Sequence, residues 1–169
     1  MSDEELSVLS AEIGQLLKQE GTSITTAESC TGGWIAKVIT DTAGSSAWFD
    51  RGFITYSDAA KKALTGVSAT TLIQHGAVSE ACVREMAQGA LVAAQANYAI
   101  SVSGIAGPDG GTAQKPVGTV WFGFAAALGY QKSWLQRFNG DRQQIRRQAT
   151  FRALQILREQ ISEKSFDTV

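Results

Sequence analysis

Residues Thr26-Ala27-Glu28-Ser29-Cys30-Thr31-Gly32-Gly33 set a carboxylate, a hydroxyl and a thiol side by side and follow them with a glycine pair. An apolar, β-branched run (Ile24 to Thr26) leads in, and a helix-period stretch from Trp34 to Ile39 leads out. Strand, tight turn and helix N-terminus form a geometry that presents a nucleophile beside backbone N–H groups. Those N–H groups have no partner inside the helix and carry the positive end of its dipole. An oxyanion formed during reaction is stabilised there. The same residues also fit an ordinary βα turn capped by Ser29 or Thr31.

A serine nucleophile needs a base. His75, the single histidine, sits in Gln74-His75-Gly76 and reads as a cap residue at the end of a short helix. If it is structural, no Ser-His-Asp triad can form, because no other histidine exists. A lysine serves as base when burial or nearby positive charge keeps it neutral. Lys61, in Tyr56-Ser57-Asp58-Ala59-Ala60-Lys61, is the candidate, set against the reading of an ordinary surface lysine. Gly140-Asp141-Arg142 precedes the last expected helix, with Arg142, Arg146 and Arg147 clustered near its start. Arginines beside free N–H groups suit a phosphate monoester; they equally suit a solvated helix face.

These groups must be positioned by the elements around them. Leu6, Leu9, Ile13, Leu16 and Leu17 recur at helical spacing, which predicts a helix over 4–19 ended by Gly21. A strand is expected near 22–27, a helix near 31–40 and a strand over 48–56. Two short helices follow, the first carrying Lys61 and the second starting at Ser68. Ser79 reads as the cap of a long helix through Ala96. The strand Tyr98 to Val102 runs into a second glycine-rich loop, Ser103 to Gly111. Strands over 117–126 and 130–138 form a hairpin turned at Leu128-Gly129, and a final helix starts near 141. Helices alternate with strands early and strands become adjacent late, which predicts an α/β layered single domain with a mixed β-sheet flanked by helices. Two glycine-rich loops at strand ends suggest one site. Neither loop matches a phosphate-binding fingerprint, which disfavours a nucleotide triphosphatase or a Rossmann dehydrogenase.

Composition narrows the class. With 169 residues, 44% hydrophobic and 18% charged, the chain reads as one globular domain with a substantial core. Fifteen basic against sixteen acidic side chains give a net charge of −1, so no global field favours nucleic acid or an anionic membrane. The acidic start Met1-Ser2-Asp3-Glu4-Glu5 lacks the features of a secretory signal, and no apolar run reaches transmembrane length. Cys30 and Cys82 are too few for a disulfide framework and lack metal-ligand spacing. The expectation is a cytoplasmic, reduced, metal-free protein without a cofactor.

Four ordered motifs carry a resemblance: Thr26 to Gly33, Ser103-Gly104-Ile105-Ala106-Gly107-Pro108, Lys115-Pro116-Val117-Gly118-Thr119-Val120 and Gly140-Asp141-Arg142. Together they resemble the CinA C-terminal domain family, over roughly Glu4 to Ile161 and with no departure within the motifs. Longer members carry an upstream pyrophosphatase-type domain. This sequence reads instead as a single CinA C-terminal-type domain over 1–169, so no pyrophosphatase activity is expected. The resemblance implies hydrolysis of the carboxamide of nicotinamide mononucleotide (NMN) to nicotinic acid mononucleotide and ammonia, by a metal-free homodimer.

It also maps Ser–Lys amidase chemistry onto Ser29 and Lys61, with Tyr56 close by. The backbone at Cys30, Thr31 and Gly32 is then expected to supply oxyanion donors, and Gly104, Ile105, Ala106, Gly107 and Arg142 to bind substrate. An alternative within the family uses Ser46, Tyr56 and His75 as a triad, and Cys30 is a rival nucleophile. A reading from another class is a catalytically silent binding or regulatory module associated with competence and DNA damage; intact Ser29 and Lys61 favour the enzyme.

Overall fold

The computed structural model describes residues 1–163, so residues 164–169 of the expected domain lie outside the described residues. Five strands form one mixed sheet in the order β2-β1-β3-β4-β5. β1 (Ile24–Glu28) is parallel to β2 (Phe53–Ile54) and to β3 (Tyr98–Gly104). β4 (Thr119–Ala125) and β5 (Gln131–Arg137) continue the sheet antiparallel. This is the layered α/β arrangement expected. Parallel strands need crossover connections, and helices supply them.

Helices α1 (Asp3–Glu20), α2 (Trp34–Asp41) and α6 (Arg142–Glu163) cover one face of the sheet. Their apolar sides meet Ile100, Val102, Phe122 and Phe124 in the larger core. On the other face α5 (Glu80–Ala94) crosses β1, β3, β4 and β5, with α3 (Asp58–Thr65) and α4 (Ala69–His75) packed beside it. Cys82, Val83, Met86 and Ala87 of α5 close a second core with Ala27 and Ala99. Ser2 and Glu5 form a capping box on α1, and the hydroxyls of Ser57, Ser68 and Ser79 accept N–H bonds at the starts of α3, α4 and α5.

Several expected boundaries move. The strand expected over 48–56 is only Phe53–Ile54. A 3-10 turn at Ser45–Ala47 precedes it and leads into Trp48, which is buried in the core. An added Cβ on Gly14 would meet the Trp48 ring at 2.6 Å, so the indole occupies the space that helix α1 leaves there. Helix α2 starts at Trp34 and not near 31. The chain turns at Gly32 (φ 59°) and Gly33 (φ 98°), left-handed conformations that glycine adopts without steric cost. Strand β3 extends through Ser103 and Gly104, residues expected in a loop. The hairpin between β4 and β5 turns at Ala127–Gly129, as expected.

Candidate active site

The C-terminal ends of the parallel strands β1 and β3 open onto a cavity of about 210 Å³. Ser29 leaves β1 at this edge, its N–H still continuing the ladder to Val102 O at 3.0 Å. Helix α3 enters from the side and delivers Lys61 to the bottom. The Lys61 Nζ lies 3.0 Å from Ser29 Oγ, 2.9 Å from Thr55 O and 3.1 Å from Tyr56 O.

Counting donors shows what this geometry permits. A neutral amine has two N–H groups and one lone pair. If the N–H groups go to the Thr55 and Tyr56 carbonyls, the lone pair faces Ser29 Oγ and can accept its proton. An ammonium has three donors, and all three partners are acceptors. Both protonation states are therefore satisfied without movement. Lys61 is 1% exposed, and no carboxylate among the described residues pairs with it. Burial pushes its pKa below the ordinary value of 10.5, and the more distant Asp58 only partly opposes this. A buried lysine whose pKa is lowered, set against a hydroxyl, can act as a general base toward it.

Glu28 explains why the turn is rigid. Its side chain is wholly buried and points to the face opposite Lys61. The carboxylate accepts the Thr31 hydroxyl at 2.7 Å and the N–H groups of Ile35 and Ala36 at 2.9 and 3.0 Å. Burial raises its pKa, and these hydrogen bonds pull it back. The expectation that the helix terminus supplies free N–H groups to the site is therefore corrected: Glu28 takes those of the first turn of α2. Thr31 gives its hydroxyl to Glu28, and Gly33 is the N-cap residue of α2.

Gly32 N–H closes the turn on Ser29 O at 3.0 Å, so it too is committed. Among the described residues the N–H groups of Cys30 and Thr31 enter no hydrogen bond with another residue. Of these two, Cys30 lines the cavity and Thr31 is wholly buried next to it. Arg146 grips the same turn from behind, donating to Cys30 O at 2.9 Å and Thr31 O at 3.1 Å while its guanidinium lies 5.6 Å from the Trp34 ring.

The Cys30 thiol is 5% exposed, and burial pushes its pKa up to about 12. A thiol held neutral at any ordinary pH is a poor nucleophile. Cys82, under Lys61, is pushed up to about 11 for the same reason.

The structure brings Ser29, Cys30, Tyr56, Lys61, Gly104, Ala106 and Arg142 to one cavity. Thr31, Gly32, Ile105 and Gly107 stand outside its lining. Gly107 is tied to it through Arg142, which donates to Gly107 O at 2.8 Å and to the Tyr56 hydroxyl at 3.2 Å. Arg142 pairs with no carboxylate among the described residues, so its charge is available to an anion at the cavity mouth. Ser46, Tyr56 and His75 are not brought together. Ser46 lies near Phe49, which bridges to Ile24 at the opposite end of β1 from Ser29. His75 is exposed at the end of α4 beside the cap residue Gly76.

Of the arginine cluster expected near the start of α6, only Arg142 lines the cavity: Arg146 holds the turn and Arg147 pairs with Asp3. Sequence reasoning missed Glu28 as the brace of the turn, and Ser103. Among the described residues no cluster of three His, Cys, Asp or Glu side chains suits a metal ion, and no helix is long and apolar enough to cross a membrane.

Comparison with known proteins agrees with this architecture. Residues 6–161 match the model of the CinA C-terminal domain. The nicotinamide-nucleotide amidohydrolase PncC of Shigella flexneri is 64% identical over 160 residues, covering 95% of this chain and 97% of that protein. The protein of the same name from Escherichia coli K12 is 63% identical with the same coverage. A crystal structure of a competence-damaged protein (CinA) superfamily member from Klebsiella pneumoniae superposes with a TM-score of 0.89 at 41% identity, covering 94% of this chain and 98% of that one. On these matches, the chain belongs to the CinA C-terminal domain family.

Proposed function

We propose that this protein is a nicotinamide-nucleotide amidohydrolase, converting NMN to nicotinic acid mononucleotide and ammonia with Ser29 as nucleophile and Lys61 as base. The observation that carries the reading is the buried Lys61 Nζ at 3.0 Å from Ser29 Oγ, held by two carbonyls and by no carboxylate. The names of the relatives with 64% and 63% identity support the substrate.

The chemistry follows from the geometry. Neutral Lys61 takes the proton of Ser29 as Oγ attacks the carboxamide carbon. The pyridinium of NMN withdraws electrons from that carbon, and its positive charge helps keep Lys61 neutral. The oxyanion turns toward the N–H groups of Cys30 and Thr31, each such donor contributing roughly 3–4 kcal/mol in comparable sites. Protonated Lys61 gives its proton to the carboxamide nitrogen, the C–N bond breaks and ammonia leaves. Water then attacks the acyl-Ser29 ester, with Lys61 accepting its proton and returning it to Oγ.

At about 210 Å³ the cavity is smaller than the roughly 300–1,000 Å³ that encloses a whole drug-sized ligand. It takes the carboxamide end, and the phosphate extends to Arg142 with the Gly104–Gly107 backbone alongside. The family resemblance further supports a homodimer acting in the cytoplasm, with residues 1–169 as one domain; light scattering of the purified protein tests the dimer. Ammonia release from NMN by the purified protein, without added metal, tests the activity. Silence in that assay would favour the binding or regulatory module.

A further inference from the structure

Strand β3 sends Ala99, Ser101 and Ser103 to the face that α5 covers. The Ser101 hydroxyl is accounted for, since it donates to Val83 O at 2.5 Å. Ser103 is not. It is 1% exposed, it lines the cavity, and its hydroxyl enters no hydrogen bond with any described residue. The hydroxyl is not sealed off but faces the cavity, where it is open to a ligand group.

Its position gives the reason. Glu28 pairs with Val102 in the parallel register and Ser29 N–H continues to Val102 O, so Ser29 and Ser103 stand side by side on neighbouring strands. Such strands lie about 4.8 Å apart, which places the Ser103 hydroxyl within reach of any group bonded to Ser29 Oγ. The turn beyond Ser29 carries the oxyanion donors, and β3 flanks the opposite side.

We propose that Ser103 is a substrate-contacting residue whose hydroxyl oxygen accepts an N–H of the carboxamide, holding the leaving nitrogen beside Lys61. This rests on the amidohydrolase reading above. With the nitrogen held there, the carbonyl oxygen is directed to Cys30 and Thr31. The proton that Lys61 took from Ser29 then has a short path to the nitrogen. Ser103 keeps its own proton throughout, and ammonia departs with the one from Lys61.

The test compares NMN with the methyl ester of nicotinic acid mononucleotide, which forms the same oxyanion but has no N–H at its leaving atom. Ser103→Ala is expected to lower kcat/KM for NMN at least tenfold more than for the ester. Equal losses on both compounds would assign Ser103 to the oxyanion or to packing and overturn the proposal, as would full activity on NMN. A wild-type protein that leaves NMN intact would bring down the amidohydrolase reading itself, an outcome distinct from either.

Discussion

Lys61 Nζ and Ser29 Oγ are 3.0 Å apart in a pocket where the lysine meets carbonyls and a hydroxyl but no carboxylate. Desolvation depresses the lysine pKa below 10.5, and nothing nearby restores it fully. The amine must be neutral to take a proton, so kcat/KM is expected to rise with pH through an ionisation below that value. Lys61→Arg, which stays protonated, should abolish the limb together with the activity. His75→Asn should leave it in place. A pH–rate profile of the three proteins checks this, and loss of the limb in His75→Asn alone would move the base to the histidine.

Arg142 offers the substrate a charge-assisted contact at the cavity mouth. Losing such a bond costs about 1.5–3 kcal/mol, or roughly 10–150-fold in kcat/KM. Arg142→Ala should impose that loss on NMN and much less on nicotinamide riboside, which lacks the phosphate. Steady-state kinetics on both substrates decides the matter; equal losses would make Arg142 a support for Tyr56 and Gly107 instead.

Glu28 is buried with three hydrogen bonds that fix the turn carrying Ser29. Glu28→Ala leaves two helix N–H groups and the Thr31 hydroxyl without their acceptor. Unsatisfied buried donors cost about 1–3 kcal/mol each, partly relieved when water enters. A destabilisation of about 3 kcal/mol is expected in urea denaturation. Stability unchanged within about 0.5 kcal/mol would contradict the bracing role.

The sequence exposed the architecture where local signals and burial agree. Leu6 to Leu17 recur at helical spacing, Gly21 and Gly76 end their helices, and Ser68 and Ser79 cap theirs. It misled over 48–56, where an aromatic, β-branched run looks like a strand. There Trp48 spends its side chain filling the space beside Gly14, a tertiary contact with no local trace. Ser29 stands out locally as a hydroxyl at a strand-to-helix turn, whereas Lys61, 32 residues away, is singled out by the family resemblance, because the sequence around it reads equally as that of a surface lysine. Ser103 does not stand out, because its meaning lies in the register between β1 and β3. Glu28 is visible as a residue, but its burial under α2 changes the role of the helix terminus: the carboxylate takes the first-turn N–H groups of α2, Gly32 closes the turn, and only Cys30 and Thr31 of the expected donors stay uncommitted.

The most direct measurement is ammonia release from NMN by the wild-type protein, Ser29→Ala and Cys30→Ala, with nicotinic acid mononucleotide quantified in parallel. The wild type should produce the two products in equal amounts. Removing a catalytic nucleophile costs up to about 10⁶-fold in comparable hydrolases, so Ser29→Ala should fall to background while retaining its fold. Cys30→Ala should keep most of the activity, because its thiol is buried and held neutral. An active Ser29→Ala beside an inactive Cys30→Ala would contradict the account, and so would a wild-type protein that releases no ammonia.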